Sequence, residues 1–180
     1  IKMTKKIFKY THSFLIIFLL IVLGFIIEYF SPDSSLVMPE YPINFIILIL
    51  FISYLVSTYF FFRKTDIIKW FTSVPLTIAV ISGYLILSLI MGFVAQQPHN
   101  HFIDKIGLTH IKESYAFAIV SIMLLMVLGY NIISRLKKKM NLKNFAFFLN
   151  HAGLFIVIAV GALGSGDMHR LSIPVKKGEI

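Results

Sequence analysis

The chain has 180 residues, of which 58% are hydrophobic, and it carries a formal net charge of +9. A soluble domain of this length cannot bury so much apolar surface, so the composition indicates an integral membrane protein. No cysteine is present, which excludes disulfides and thiolate metal sites within this chain. Because the basic residues lie between the apolar segments, the positive charge is attributed to membrane topology rather than to nucleic-acid binding.

Five continuous apolar segments approach or exceed the length needed to cross a bilayer as a helix, roughly 17–25 residues. In chain order they are predicted at residues 13–30, 43–62, 76–95, 115–134 and 145–163. Their apolar character is continuous rather than alternating, so spanning helices are expected instead of strands. The predicted fold class is therefore an all-α integral membrane protein, with a five-helix transmembrane domain over residues 1–164.

The first apolar segment follows four lysines, as the apolar region of a signal peptide would. Its apolar run is longer than that of a usual signal peptide, and no small-residue cleavage site follows it. We therefore expect this segment to remain as a membrane anchor.

The connection between the second and third segments, residues 63–75, is predicted to contain a short helix at the membrane surface. We expect Ile67, Ile68, Trp70 and Phe71 to share one face of this helix, with the indole ring at the level of the lipid headgroups.

Lysine and arginine are distributed unequally over the two sets of loops. Twelve of the 17 lie on the side of the N-terminus and five on the other side. The larger set comprises Lys2, Lys5, Lys6, Lys9, Arg63, Lys64, Lys69, Arg135, Lys137, Lys138, Lys139 and Lys143. The positive-inside rule then predicts a cytoplasmic N-terminus and a C-terminus on the outer side.

Four histidines fall in the outer segments: His99, His101, His110 and His169. Their spacing matches no zinc motif, so a zinc site is not expected. The end of the loop that carries three of them, residues 108–114, is predicted to form a short amphipathic turn. No carboxylate lies deep in a predicted span, since Glu28 is near the outer end of its helix, and this disfavours an ion-coupled transporter or pump.

The C-terminal tail differs in character from the rest of the chain. Residues 170–175 resemble a strand, although Pro174 suits only an edge or a bulge. We expect residues 165–180 to be the start of an extracytoplasmic β-rich domain. Because the chain starts with Ile1 and stops within this tail, we also expect it to be a fragment of a longer product.

His151 is the only histidine inside a predicted span. It lies eight residues beyond Lys143, which places it roughly 12 Å along a continuous helix. Small neighbours such as Ala152 and Gly153 allow a helix or a flat ligand to come close. The imidazole either binds a ligand or relays a proton, or it forms a hydrogen bond between helices. Asn150 points about 100° away from His151, so it is not a second ligand on the same face.

An apolar helix with many small residues is predicted from Phe147 onward, and His151 and Gly153 lie near its start. A break at Gly164 follows, and then a strand-like segment that ends in Gly178–Glu179. This order resembles the ResB/CcsB family of System II cytochrome c biogenesis proteins. Three further segments resemble the five-span version of that family in Bacteroidetes-type bacteria. They are YPIN (41–44), KWFTSVPLTIAV (69–80) and IMGFVAQQ (90–97).

The resemblance implies a subunit of the bacterial inner (cytoplasmic) membrane that handles and exports haem. It implies a CcsA-type membrane partner, fused or separate, and covalent attachment of the haem to apocytochrome c. Haem b would be held transiently between the two proteins, with His151 as an axial ligand to the haem iron.

The family's large outer domain, its closing helix and the Trp-rich loop of its partner are not among these 180 residues. We therefore expect haem lyase activity to belong to a complex and not to this chain alone. The alternative is a non-catalytic membrane scaffold or a transporter subunit of another family, in which His151 only packs between helices.

Overall fold

The computed structural model describes residues 9–31, 36, 39–96, 101–136 and 141–167. The regular structure of these residues is entirely helical, in agreement with the predicted class. The strand-like part of the predicted β-rich segment lies outside the described residues, as do His99 and His169.

Five helices of the described part are long and apolar enough to cross a membrane, as predicted. They are α1 (Tyr10–Phe30), α2 (Ile43–Phe62), α4 (Val74–Phe93), α6 (Tyr115–Leu136) and α7 (Leu142–Leu163). The shorter elements are α3 (Asp66–Phe71), α5 (His101–Lys105) and two 3₁₀ turns (Ile111–Glu113 and Gly164–Asp167). Each long helix overlaps its predicted segment, and its ends lie within a few residues of the predicted ends.

Local sequence signals mark the starts of two of these helices. Pro75 occupies the first turn of α4, where its missing N–H leaves no helical hydrogen bond unmade. Asn141 caps α7, because its side-chain oxygen accepts the Asn144 backbone N–H at 2.8 Å. The cap therefore marks the start of the helix that carries His151.

Helix α6 lies at the centre of the bundle and contacts α1, α2, α4 and α7. Half of its most apolar stretch is buried, whereas only 17% of that of α7 and 6% of that of α2 are. Helices α1 and α6 approach each other closely at Gly24, where a Cβ atom would lie 2.4 Å from the Ala116 Cα. Only glycine at position 24 permits this spacing.

An aromatic cluster fills the bundle between α2, α3 and α6. The Tyr130 ring stacks on Tyr59 at 6.5 Å and packs at 5.4 Å from Phe71, and its hydroxyl lies 2.9 Å from the Thr58 hydroxyl. A buried tyrosine needs such a partner for its O–H group.

The short surface helix was predicted in the right place, but its apolar residues do not all share one face. Ile68 and Phe71 are buried, and Trp70 packs beside them with its N–H directed at the Ser13 hydroxyl at 3.4 Å. Ile67, by contrast, is 65% exposed. Adjacent residues of an α-helix point about 100° apart, so Ile67 and Ile68 do not both face the bundle.

The outer surfaces of α1, α2, α4 and α7 carry many exposed large apolar side chains. In water such a surface would be an aggregation hazard, but in a bilayer it is the expected lipid-facing surface. The described part of the chain therefore has the architecture of a multi-pass membrane protein.

Candidate functional site

His151 is held in one orientation by its own helix. Its Nδ1 atom lies 2.9 Å from the Phe147 carbonyl oxygen. A carbonyl oxygen only accepts hydrogen bonds, so the neutral ring carries its proton on Nδ1 and donates it there. The lone pair of the neutral imidazole is then on Nε2, which is the arrangement that orients most metal-binding histidines.

Two further side chains extend this arrangement towards the start of α7. The Phe147 ring stacks on the His151 ring, with centroids 3.7 Å apart and planes 22° apart. The Arg135 Cζ atom lies 4.5 Å from the centroid of the same phenyl ring. Because the imidazole covers one face of Phe147 at this distance, the guanidinium group covers the other. We call Arg135, Phe147 and His151 the stacked column.

The side of α7 that lies away from His151 is open and apolar. Gly153 is exposed, and a Cβ atom placed there would meet no atom within 4 Å. Leu149 and Leu154 are also exposed on this helix. Ala159, further along the same helix, instead packs into the bundle, where it is 1% exposed. Leu149 and Gly153 are each two positions from His151, so they point to nearly the opposite side of the helix, and this open surface lies away from the imidazole.

Among the described residues, His151 is a single donor and not part of a larger group of metal ligands. No group of three or more His, Cys, Asp or Glu side chains that could hold a metal ion occurs among the described residues. A bare ion would need several such ligands from the protein. Haem iron is already held by its porphyrin and needs only an axial ligand, which a single neutral imidazole supplies.

A second polar site, at the other end of the bundle, was not predicted from the sequence. Glu28 is only 1% exposed, and its Oε2 accepts the Tyr115 backbone N–H at 2.9 Å. Its Oε1 lies 3.0 Å from Nε2 of His110. Gly107 has φ +75°, and a Cβ atom there would lie 2.7 Å from the Glu28 Cγ. We call these four residues the Glu28 clamp.

The Glu28 clamp is structural in character. It fastens the loop before α6 onto the end of α1, and both carboxylate oxygens are used in doing so. The sequence signal was present, since an acidic residue near the end of an apolar span is costly unless it is paired. The partners were not predictable, because His110 is 82 positions further along the chain.

The same end of the bundle has another link. Asp167 accepts the Tyr41 N–H at 2.7 Å through one oxygen, and the Asn44 side-chain amide at 2.7 Å through the other. The end of α7 is thereby tied to the start of α2. This link positions the end of α7 that lies away from the stacked column.

A shallow apolar groove lies along the second half of α1, away from the stacked column. Its lining residues are Val22, Phe25, Ile26, Tyr29, Phe30 and Ile106. It has no converging polar groups of the kind that orient a specific ligand, and an acyl chain of the bilayer would fill it equally well.

No family model, no curated protein and no solved structure matches this chain. The fold defines the class of protein as multi-pass and helical, with five candidate spanning helices in the described part. Within that class, two features bear on the function: the stacked column, and the resemblance of the surrounding sequence to the ResB/CcsB family.

Proposed function

We propose that this chain is a membrane subunit of System II cytochrome c biogenesis, which handles haem together with a CcsA-type partner. The pair exports haem b for covalent attachment to apocytochrome c. The observation that carries the proposal is His151, a histidine in a spanning helix whose Nδ1 is engaged by the Phe147 carbonyl and whose Nε2 is the basic nitrogen. The resemblance of residues 147–179 to the ResB/CcsB family supports it.

His151 is the proposed axial ligand of the haem iron. An imidazole whose first nitrogen donates to a carbonyl presents its second nitrogen in a fixed direction, which lowers the entropy lost on coordination. The second axial ligand is a histidine of the partner, in keeping with the resemblance.

The position of α7 in the bundle suits a shared site. Only Phe155 and Ala159 of this helix are buried, so most of its surface is available to another protein. Haem bound between α7 and a partner helix would be covered from both sides. The porphyrin would then be kept from water while it crosses the membrane.

We further propose the bacterial cytoplasmic membrane as the location, with the N-terminus inside. The twelve-to-five distribution of basic residues supports this orientation. His151 then lies in the cytoplasmic half of α7, where a molecule arriving from inside would meet it first. Residues beyond Gly164 lead into the proposed β-rich domain outside, and haem lyase activity belongs to the complex.

Replacement of His151 by Ala tests this function in the full-length protein, co-expressed and purified with its partner. Alanine keeps the helix but removes the ligand. We expect loss of bound haem, or a changed haem spectrum, together with loss of cytochrome c maturation. Added imidazole should restore binding, because it can occupy the vacated coordination position. Asn150→Ala, one residue away on an exposed face, is the matched control and should behave as wild type.

One observation favours the alternative, a membrane scaffold or a transporter subunit of another family. The His151 ring already stacks on Phe147 and has a hydrogen bond within its own helix. A residue engaged in this way could serve packing alone. In that case the His151→Ala protein would keep wild-type haem content, spectrum and cytochrome c maturation, and the haem-handling function would be wrong.

A further inference from the structure

We propose that the stacked column is a closed state of the candidate site, in which the Phe147 ring is a gate over His151 and Arg135 holds that gate closed. The role of the gate rests on the proposed function of His151. It adds a conformational step before a flat ligand can reach the imidazole, and it places the control of that step at the contact between α6 and α7.

The closed state follows from the geometry of the stack. A metal atom bound to Nε2 lies in the plane of the imidazole ring, and a porphyrin around that metal stands across this plane and extends on both sides of it. The Phe147 ring lies 3.7 Å from the His151 ring, and the two planes are 22° apart. A porphyrin centred on Nε2 would run through the phenyl ring, so haem does not fit at His151 in this arrangement.

The Phe147 ring can leave this position without disturbing the imidazole. A phenylalanine in a helix has two common χ1 rotamers, near 180° and near −60°, and a change between them moves the ring to another side of its Cβ atom. Phe147 is half-buried and lies outside the buried core cluster, so its ring is not enclosed. His151 keeps its orientation, because its Nδ1 donates to the backbone carbonyl of Phe147, which does not turn with the side chain.

Arg135 opposes this rotation from the other face of the ring. Its Cζ atom lies 4.5 Å from the Phe147 centroid, and a guanidinium group is attracted to an aromatic face. The attraction is stronger where the site is partly desolvated, and Arg135 is half-buried. Because the phenyl ring lies between two planar groups, it loses both contacts when it turns.

The two ends of α7 are attached differently, and the weaker attachment is at the gate. Beyond the outer end, Asp167 accepts two hydrogen bonds of 2.7 Å from the start of α2. Near the start of α7, the hydrogen bond from Arg135 to the Asn144 side-chain oxygen is long, 3.4 Å. A shift of the start of α7 away from α6, with the outer end held, separates Arg135 from Phe147 and frees the ring.

The first measurement needs no haem. It compares the histidine ring-proton chemical shifts of the purified full-length complex, in bilayer discs, by NMR with labelled histidine. A proton under the face of a phenyl ring is shifted upfield, so we expect this shift for His151 in wild type. It should be smaller in Arg135→Gln and absent in Phe147→Ala. Phe145 is exposed and two positions from Phe147, so Phe145→Ala is the matched control and should leave the shift unchanged.

The second measurement is the haem affinity of the same four proteins. A ligand that binds only the open state has its affinity lowered by the fraction of protein that is open. Arg135→Gln should therefore bind haem about fivefold more tightly, the effect of losing one partly desolvated contact between a cation and a ring. Phe147→Ala should bind it more tightly still. A purely structural role for either residue would instead weaken binding.

Three results would overturn the inference while leaving the proposed function intact. They are unchanged or weaker haem binding in Phe147→Ala, an unchanged His151 shift in Arg135→Gln, and a wild-type His151 ring without the upfield shift. If neither wild type nor Phe147→Ala binds haem, the proposed function fails and the inference fails with it.

Discussion

Replacement of Glu28 by Ala removes the centre of the Glu28 clamp. The change takes away the acceptor of the Tyr115 N–H at the start of α6 and the partner of the His110 ring. It also leaves a cavity against Gly107, whose hydrogen-only side chain is in close contact with Glu28. We expect α1 and the loop before α6 to separate at this end of the bundle.

The magnitude follows from the burial of each group. Glu28 is 1% exposed, so loss of its acceptor oxygens removes the acceptor of the Tyr115 N–H in a buried place. This should lower the free energy of unfolding by about 1–3 kcal/mol, the cost of a buried donor that loses its acceptor. The His110 side chain is 31% exposed and can turn to water, so it adds little. Glu28→Gln keeps the shape and an acceptor oxygen, and should cost only about 1 kcal/mol.

Thermal unfolding of the purified protein in detergent, followed by circular dichroism, measures these differences. The expected order of stability is wild type, then Glu28→Gln, then Glu28→Ala. His110→Ala should also be less stable than wild type, because it leaves an oxygen of the buried Glu28 carboxylate without its partner. If Glu28→Ala unfolds at the wild-type temperature, the clamp does not hold this end of the bundle.

Two other substitutions test the packing of α6. Gly24→Ala should destabilise the α1–α6 contact, because the new Cβ atom would lie 2.4 Å from the Ala116 Cα, whereas Gly92→Ala, with nothing within 4 Å, should be neutral or slightly stabilising. Equal melting temperatures for these two variants would contradict the close approach. Tyr130→Phe should lower the free energy of unfolding by about 1 kcal/mol, since it removes the hydroxyl that lies 2.9 Å from Thr58. If Thr58→Val then costs as much in the Tyr130→Phe background as in wild type, the two hydroxyls do not interact.

The spanning helices could be predicted from the sequence because each is encoded by one continuous apolar run. The second segment has the predicted bounds, Ile43–Phe62. The first and fifth helices start earlier than predicted, at Tyr10 and Leu142, because polar residues near a helix end can still complete its hydrogen bonds. Hydropathy marks where a segment leaves the apolar environment, which need not be where the helix ends.

The candidate site could be predicted only in part. His151 was identifiable because a histidine is unusual within an apolar run. Its stacking on Phe147 follows from the helical spacing of four residues, but the approach of Arg135 depends on how α6 and α7 pack. The Glu28 clamp was missed for the same reason, since its members are brought together by tertiary structure and not by a local pattern.

The most direct test of the proposed haem site is the identity of the axial ligand. Because this chain has no native cysteine, His151→Cys introduces a single thiolate donor at the proposed coordination position. We expect haem in the full-length complex to change from the absorption and electron paramagnetic resonance signatures of histidine ligation to those of thiolate ligation. Asn150→Cys should keep the wild-type spectrum. If His151→Cys binds haem with the wild-type spectrum, His151 is not a ligand of the iron.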